Sequence, residues 1–243
     1  MHEYNFFVPP EEQNENIVFI RGDEYNHCCR VLRKSEGAVV SVFDGKCHKK
    51  DVKLIGEKDH CVKGKVIKQY PAENKIKPYI SLGVGVVRNK AMKKIIQQAT
   101  NLGINEFYPL NMKNCIKHKF RRDKFVRKAI EAAKQSGTSH LPKIGGNLEV
   151  EEWLDKSKDK DLRLLAHQEG HKSLAGICNR NPEVEDMAVT IGPEGGFHDQ
   201  ELELFKASDF VNVNIFPFRL RTELAVTNIL AGIYHLYNQK EEL

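Results

Sequence analysis

The chain has 243 residues, 40% apolar and 29% charged, which is the composition of a soluble globular protein with room for one large domain or two small ones. No apolar run approaches the ~20 residues that a membrane helix needs, and no basic region leads into an apolar one at the N-terminus, so neither a membrane span nor a secretory signal is expected. Six cysteines and ten histidines show no CxxC or HExxH spacing, which points to reduced thiols, no metal and a cytoplasmic setting.

Taken in order, the first runs read as short strands: Ile17–Ile20, Ala38–Phe43, Val52–Ile55 and Cys61–Ile67, with Asp44-Gly45 as a hairpin turn between two of them. They predict a small β-barrel, and its one helix-like stretch carries His27, Arg30, Arg33 and Lys34. Pro71, Asn74 and Pro78 then interrupt the pattern, so domains of 1–72 and 73–243 are expected. Beyond the break come strand Tyr79–Val87, helix Ala91–Leu102, strand Glu106–Leu110 and helix Lys124–Gln135. Strands Arg163–Ala166 and Ala188–Ile191 follow, then helix Asp199–Ala207, strand Val211–Phe216 and a last helix to about Asn238, while Lys156–Asp161 reads as a charged surface loop. This alternation predicts an α/β domain with a parallel sheet and helices on both faces. The last helix is apolar over too much of its circumference for one face in water, which suggests burial against a second subunit as well as under neighbouring loops.

The net charge of +5 is unevenly spread. From Lys113 to Lys128 there are eight basic residues against Asp123 alone, leaving the remainder slightly negative. Such a block, interleaved with Phe120 and Phe125, suits a phosphate-lined partner, although a solvated basic loop explains it too.

Two loops concentrate the chemistry. Ile191-Gly-Pro-Glu-Gly-Gly-Phe197 follows the apolar run Met187–Ile191, and Leu220-Arg-Thr-Glu223 follows Val211–Phe216. Each opens onto a helix-like segment, and two strand-to-helix loops side by side are where an α/β sheet binds ligands. Glycines let backbone approach a ligand closely, although an ordinary glycine-rich turn is equally compatible. Phe197 and His198 stand where a P-loop needs Lys and Ser/Thr, so phosphates are not the main handle.

These two loops resemble the RsmE-type ribosomal RNA methyltransferases of the SPOUT superfamily. Matching blocks elsewhere are Val31-Leu-Arg33 with Val42-Phe-Asp-Gly45, Gln97 to Gly103, and Glu131-Ala-Ala-Lys-Gln-Ser136 with Pro142, in the family's order from about residue 25 onward. The resemblance implies a PUA-like N-terminal β-barrel domain that binds RNA and a SPOUT α/β domain with a deep trefoil knot. It also implies a homodimer, and methylation of N3 of a uridine in small-subunit ribosomal RNA from S-adenosylmethionine. Carried over residue by residue, it assigns the cofactor to Leu165, Ala166 and His167, to Ile191, Gly192, Pro193, Gly195 and Gly196, and to Phe216, Leu220, Arg221, Thr222 and Ala225. RNA contacts fall to Arg30, Arg33, Arg88, Lys117, Lys119, Arg121 and Arg122. The chain departs from the family's Leu-Gly-x-Arg-Ile, having Ile215-Phe-Pro-Phe-Arg219.

Methyl transfer is an in-line displacement, so most catalysis comes from positioning. Uridine N3 must also lose a proton, which calls for an acceptor or for stabilisation of the resulting anion. Arg221 is the candidate for stabilisation; Glu223 and Glu194 are the candidate acceptors. Glu223 is equally explained by the first turn of a helix. A side chain at Gly195 is expected to project into the cofactor pocket. A non-catalytic RNA-binding or ribosome-assembly factor, or a SPOUT methyltransferase with another RNA target, remains compatible with the sequence.

Overall fold

Period-two alternation builds the first unit. In Cys61–Gln69, Val62 and Gly64 turn inward while Lys63 and Lys65 face solvent, the pattern of a half-buried strand. The computed structural model describes residues 5–71, 76–116 and 120–238. Strands β1 (Asn5–Phe7), β2 (Ile17–Ile20), β3 (Val39–Phe43), β4 (Lys49–Lys58) and β5 (Cys61–Gln69) form one sheet in the order β1-β3-β4-β5-β2. The sheet is antiparallel except for β1 beside β3. Irregular register in β4 and β5, between Asp51 and Val52 and between Leu54 and Gly56, bends it into a half-barrel. Helix α1 (Gly22–Tyr25), continued by a wider helical turn over Asn26–Val31, contributes Tyr25 and Cys28 to a core with Phe6, Val18, Ile20 and Val52.

Packing divides the chain into two units, Met1–Lys75 with Ile130–Leu141 and Ile76–Ala129 with Pro142–Leu243. The return of Ile130–Leu141 to the first unit has a visible cause. Lys134 Nζ donates to the Glu24 carboxylate at 2.8 Å and lies 3.1 Å from His27 Nδ1. Partial burial, reinforced by Lys134, lowers the His27 pKa, which suits a neutral ring accepting at Nδ1. The hairpin turn expected at Asp44-Gly45 lies between the antiparallel strands β3 and β4, as a loop of residues 44–48. Asp44 Oδ1 gathers the Lys46 and His48 N–H groups at 2.6 and 3.2 Å, and the Gly45 carbonyl accepts from Leu141 N at 3.0 Å.

The second unit alternates. Strands β6 (Tyr79–Gly85), β7 (Glu106–Asn111), β8 (Lys143–Ile144), β9 (Leu148–Glu149), β10 (Leu162–Ala166), β11 (Lys172–Ser173), β12 (Asp186–Ile191) and β13 (Val211–Asn214) form a parallel sheet. Its order is β11-β13-β10-β12-β6-β7-β8, with β9 on β7. The middle strands β6 and β12 are buried along nearly their whole length, as a sheet covered on both faces requires.

The intervening helices are α2 (Asn89–Asn101), α3 (Arg122–Ser136), α4 (Val150–Ser157), α5 (Leu174–Arg180), α6 (Asp199–Ala207) and α7 (Thr222–Asn238). Helices α2 and α5 pack on α7, and α4 packs on α6. Trp153 of α4 sits fully buried with Leu110, Leu165, Ala188 and Phe205, and its indole N–H donates to Thr190 Oγ1 at 2.7 Å.

Helix α7 buries Thr222, Ala225, Val226, Ile229, Leu230 and Ile233, one helical stripe, and leaves Leu224 and Tyr234 exposed. Strand β13 stops at Asn214 rather than Phe216, because the Asn214 side chain accepts from Phe216 N at 3.0 Å and donates to the Gln168 carbonyl at 3.0 Å. The segment read as a loop from Lys156 begins as the end of α4.

Candidate active site

Strands β10, β12 and β13 run parallel with Ala166 opposite both Ile191 and Val213, so the loops after them leave the sheet at one edge. Those loops enclose a cleft of about 880 Å³. The first supplies Ala166 and His167 to its lining, and also Gln168 and Glu169. It is held down by His167 N donating to the Val213 carbonyl at 3.1 Å. Leu165, expected to offer its backbone to the ligand, has its side chain 1% exposed in the hydrophobic core and lies outside the cleft lining.

The second loop brings Ile191, Gly192, Pro193, Glu194, Gly195 and Gly196 to the lining, with Phe197 behind them. Its backbone is packed from several sides. A Cβ on Gly85, at the end of β6, would lie 2.5 Å from Pro193 Cδ, so this glycine lets the loop sit directly on the neighbouring strand. A Cβ on Gly192 would meet the Phe197 ring at 3.0 Å, and Thr222 Oγ1 donates to the Gly192 carbonyl at 3.2 Å from a buried position. Gly196 has φ +74, a left-handed conformation that favours glycine.

Gly195 differs from expectation. Its Cβ would strike Asn114 Cβ at 2.9 Å and the Asn114 carbonyl at 3.0 Å, so the direction closed to a side chain is toward the 113–115 turn. Asn114 Nδ2 in turn donates to the Gly196 carbonyl at 3.2 Å. Buried Glu201 completes this anchorage, accepting from Lys113 N at 2.7 Å and from His198 N at 2.8 Å. The start of the basic stretch is thereby fastened to the glycine loop. Burial raises the Cys115 pKa, which leaves its thiol protonated and a poor nucleophile.

The third loop contributes Phe216, Leu220, Arg221, Thr222 and Ala225, together with Phe218 and Arg219. Arg221 is exposed at the start of α7, its carbonyl accepting from Leu224 N and Ala225 N at 2.9 Å. Glu223 lies outside the lining, in the first turn of α7, where a carboxylate complements the helix dipole. Glu194 is exposed within the cleft on the opposite loop, and its carbonyl accepts from the Arg219 guanidinium at 2.9 Å.

The residues expected to meet RNA fall in several places. Arg88 is exposed just past β6 and caps α2, its carbonyl accepting from Met92 N at 2.9 Å. Arg121 and Arg122 are exposed, though Arg122 Nε donates to the Ile144 carbonyl at 2.7 Å. Lys117 and Lys119 lie outside the described residues. In the first unit Arg33 is exposed, and Arg30 bonds Tyr25 Oη at 2.9 Å while pairing with Glu57 at 3.6 Å. The aromatic and cationic additions at Phe218 and Arg219 were visible in sequence only as departures from the family motif.

Comparison with known proteins agrees with this geometry. An RNA methyltransferase domain family matches residues 74–233, and an RNA methyltransferase PUA domain matches residues 20–62. Ribosomal RNA small subunit methyltransferase E of Bacillus subtilis is 28% identical, over 96% of this chain and 96% of its own. The protein of the same name from Mesomycoplasma hyopneumoniae is 24% identical, over 93% and 97%. The same fold is seen in the crystal structure of ribosomal RNA small subunit methyltransferase E from Neisseria gonorrhoeae bound to S-adenosyl methionine. Its TM-score is 0.87 at 23% identity, over 97% of this chain and 98% of that one. A PUA-type half-barrel followed by a parallel α/β sheet with a glycine-loop cleft therefore has a family: the chain belongs to the RNA methyltransferases.

Proposed function

We propose that this protein transfers the methyl group of S-adenosylmethionine to N3 of a uridine in small-subunit ribosomal RNA. It acts in the cytoplasm as a homodimer, with the loops of the cleft drawn through a trefoil knot. The observation that carries the reading is the convergence of Gly192–Gly196 with Arg221 and Thr222 in one cleft of an RNA methyltransferase. The lining fits the cofactor's chemistry. Ile191, Leu220 and Ala225 offer an apolar surface for a purine, and the backbone of Gly192, Gly195 and Gly196 offers polar groups unscreened by side chains. Bound there, S-adenosylmethionine supplies an electrophilic methyl group.

The chain's own residues do the rest. Pro193 and Thr222 fix the glycine loop, so the reacting partners meet in a preset geometry. Arg221, a permanent cation, stabilises negative charge on the uracil carbonyls as N3 gives up its proton. Glu194 is the acceptor we favour over Glu223, because it lines the cleft. Arg88, the 113–128 stretch and the PUA domain, with Arg30 and Arg33, hold the RNA through its phosphates. The exposed Leu224 and Tyr234 of α7 are apolar surface that a second copy can cover.

Arg221→Ala separates binding from chemistry. Cofactor affinity by calorimetry should stay within a few-fold of the parent, while methyl transfer falls about 100-fold, the scale for losing one stabilising donor. Unchanged turnover would remove Arg221 from the mechanism. A non-catalytic RNA-binding factor is the rival reading, motivated by Phe216 and Phe218 in the lining. The presence of Glu194 and Arg221 in the same cleft favours the enzyme.

A further inference from the structure

Phe218 is the most conspicuous side chain that the mechanism above leaves unused. It lines the cleft yet is 73% exposed, and Phe216 beside it is 41% exposed. Leaving an aromatic ring in water forfeits its hydrophobic stabilisation, so a ring held at the mouth of a ligand cleft suggests a partner. Its ring neighbour among the described residues is Phe216, at a centroid distance of 6.0 Å and an interplanar angle of 59°. A tilted pair leaves the face of Phe218 uncovered. Phe120 and Phe125 show the opposite arrangement: they stack at 4.4 Å and 5°, and Phe125 is 2% exposed. That pair covers its own faces and serves the core.

The loop carrying Phe218 is braced on both sides. Asn214 holds Phe216 N at its start, and Arg219 reaches across to the Glu194 carbonyl. Arg219 and Arg221 line the same cleft as the ring. An open aromatic face in a cleft that also holds two cations is the surface that unstacked nucleic-acid bases select, because every base has a π-face and brings a phosphate with it.

We propose that Phe218 is the platform on which the target nucleobase of the RNA stacks when it enters the cleft, with Arg219 as the positioning residue that holds the platform over the glycine loop. This inference rests on the methyltransferase reading and adds the residue that receives the base. Two sources of a nucleobase exist, the cofactor's adenine and the RNA. Phe218 is 73% exposed, whereas Ile191 and Ala225, the apolar surface offered to the purine, are buried, which favours the RNA.

Phe218→Trp tests it in the full chain. The only native tryptophan, Trp153, is fully buried and hydrogen-bonded to Thr190, so a new exposed indole gives a separate fluorescence signal. Titration with a short single-stranded RNA containing one uridine should quench that signal, and the same RNA with an abasic site in place of the uridine should not. S-adenosylhomocysteine alone should leave it nearly unchanged. Phe218→Leu should weaken uridine-RNA binding about tenfold, with cofactor affinity and the salt slope retained, and Phe218→Tyr should restore it. Quenching by S-adenosylhomocysteine instead would assign the ring to the cofactor and overturn the proposal. So would an unresponsive indole in a protein whose RNA binding is evident by anisotropy. If the parent protein binds no RNA at all, the methyltransferase reading fails, and the inference with it.

Discussion

Gly192–Gly196 and Ile215–Arg221 line the same cleft but are held in different ways. The glycine loop rests on neighbours from three elements: the end of β6 at Gly85, the 113–115 turn at Asn114, and the start of α7 at Thr222. The aromatic loop is braced at its ends by solvent-exposed hydrogen bonds, Asn214 on Phe216 N and Arg219 on the Glu194 carbonyl, and it exposes Phe216, Phe218 and Arg219. A rigid loop suits the ligand common to every turnover, and a projecting one suits the ligand that must be recognised and released. On the proposed reading, the packed glycine loop serves the cofactor and the exposed ring of Phe218 serves the RNA.

Substitutions on the two sides should behave differently. Gly85→Val gives the largest expected effect. Its new side chain meets Pro193 backbone N at 2.6 Å, which a flexible neighbour cannot absorb. Overpacking of this kind costs roughly 1–3 kcal/mol, so a lower melting temperature and loss of cofactor binding by calorimetry are expected together. Retained cofactor affinity would break the claim that packing presets the glycine loop.

Thr222→Val comes next. It leaves the buried Gly192 carbonyl without its donor, a loss of about 1–3 kcal/mol, and cofactor affinity should fall with stability. Arg219→Ala is the smallest. The Arg219 contact is solvent-exposed, so stability should move by under about 0.5 kcal/mol, with the change confined to RNA affinity by anisotropy. A large drop in melting temperature would mean that the aromatic loop is as structural as its partner.

The sequence was most legible where local signals agree. The α6 bounds, Asp199–Ala207, matched expectation because His198 and Glu201 form a capping box beside an apolar face. The two strand–loop–helix units of the cleft were equally plain, since an apolar run, a glycine cluster and a helix start follow one another.

Short elements escaped. Helix α4 is capped by Glu149 rather than Ser or Thr, and α5 has only seven residues with a glycine inside. Non-local facts escaped as well. Only the fold brings Pro193 against Gly85, and the blocked direction at Gly195 depends on a turn some eighty residues away. The return of Ile130–Leu141 to the first unit rests on Lys134 meeting Glu24 and His27. Its sequence block was visible, but its partner was not. Which strand-end residues reach the cleft lining is likewise a matter of packing: Ala166 lines it, whereas the neighbouring Leu165 side chain is taken up by the core.

The central claim is methylation at one atom of one base, and product analysis tests it most directly. Small ribosomal subunits that lack the modification would be incubated with the protein and methyl-labelled S-adenosylmethionine, and the RNA digested to nucleosides. Label is expected in N3-methyluridine, appearing about 100-fold more slowly with Arg221→Ala. Label in any other nucleoside, or none from a protein that binds both the subunit and the cofactor, would contradict it.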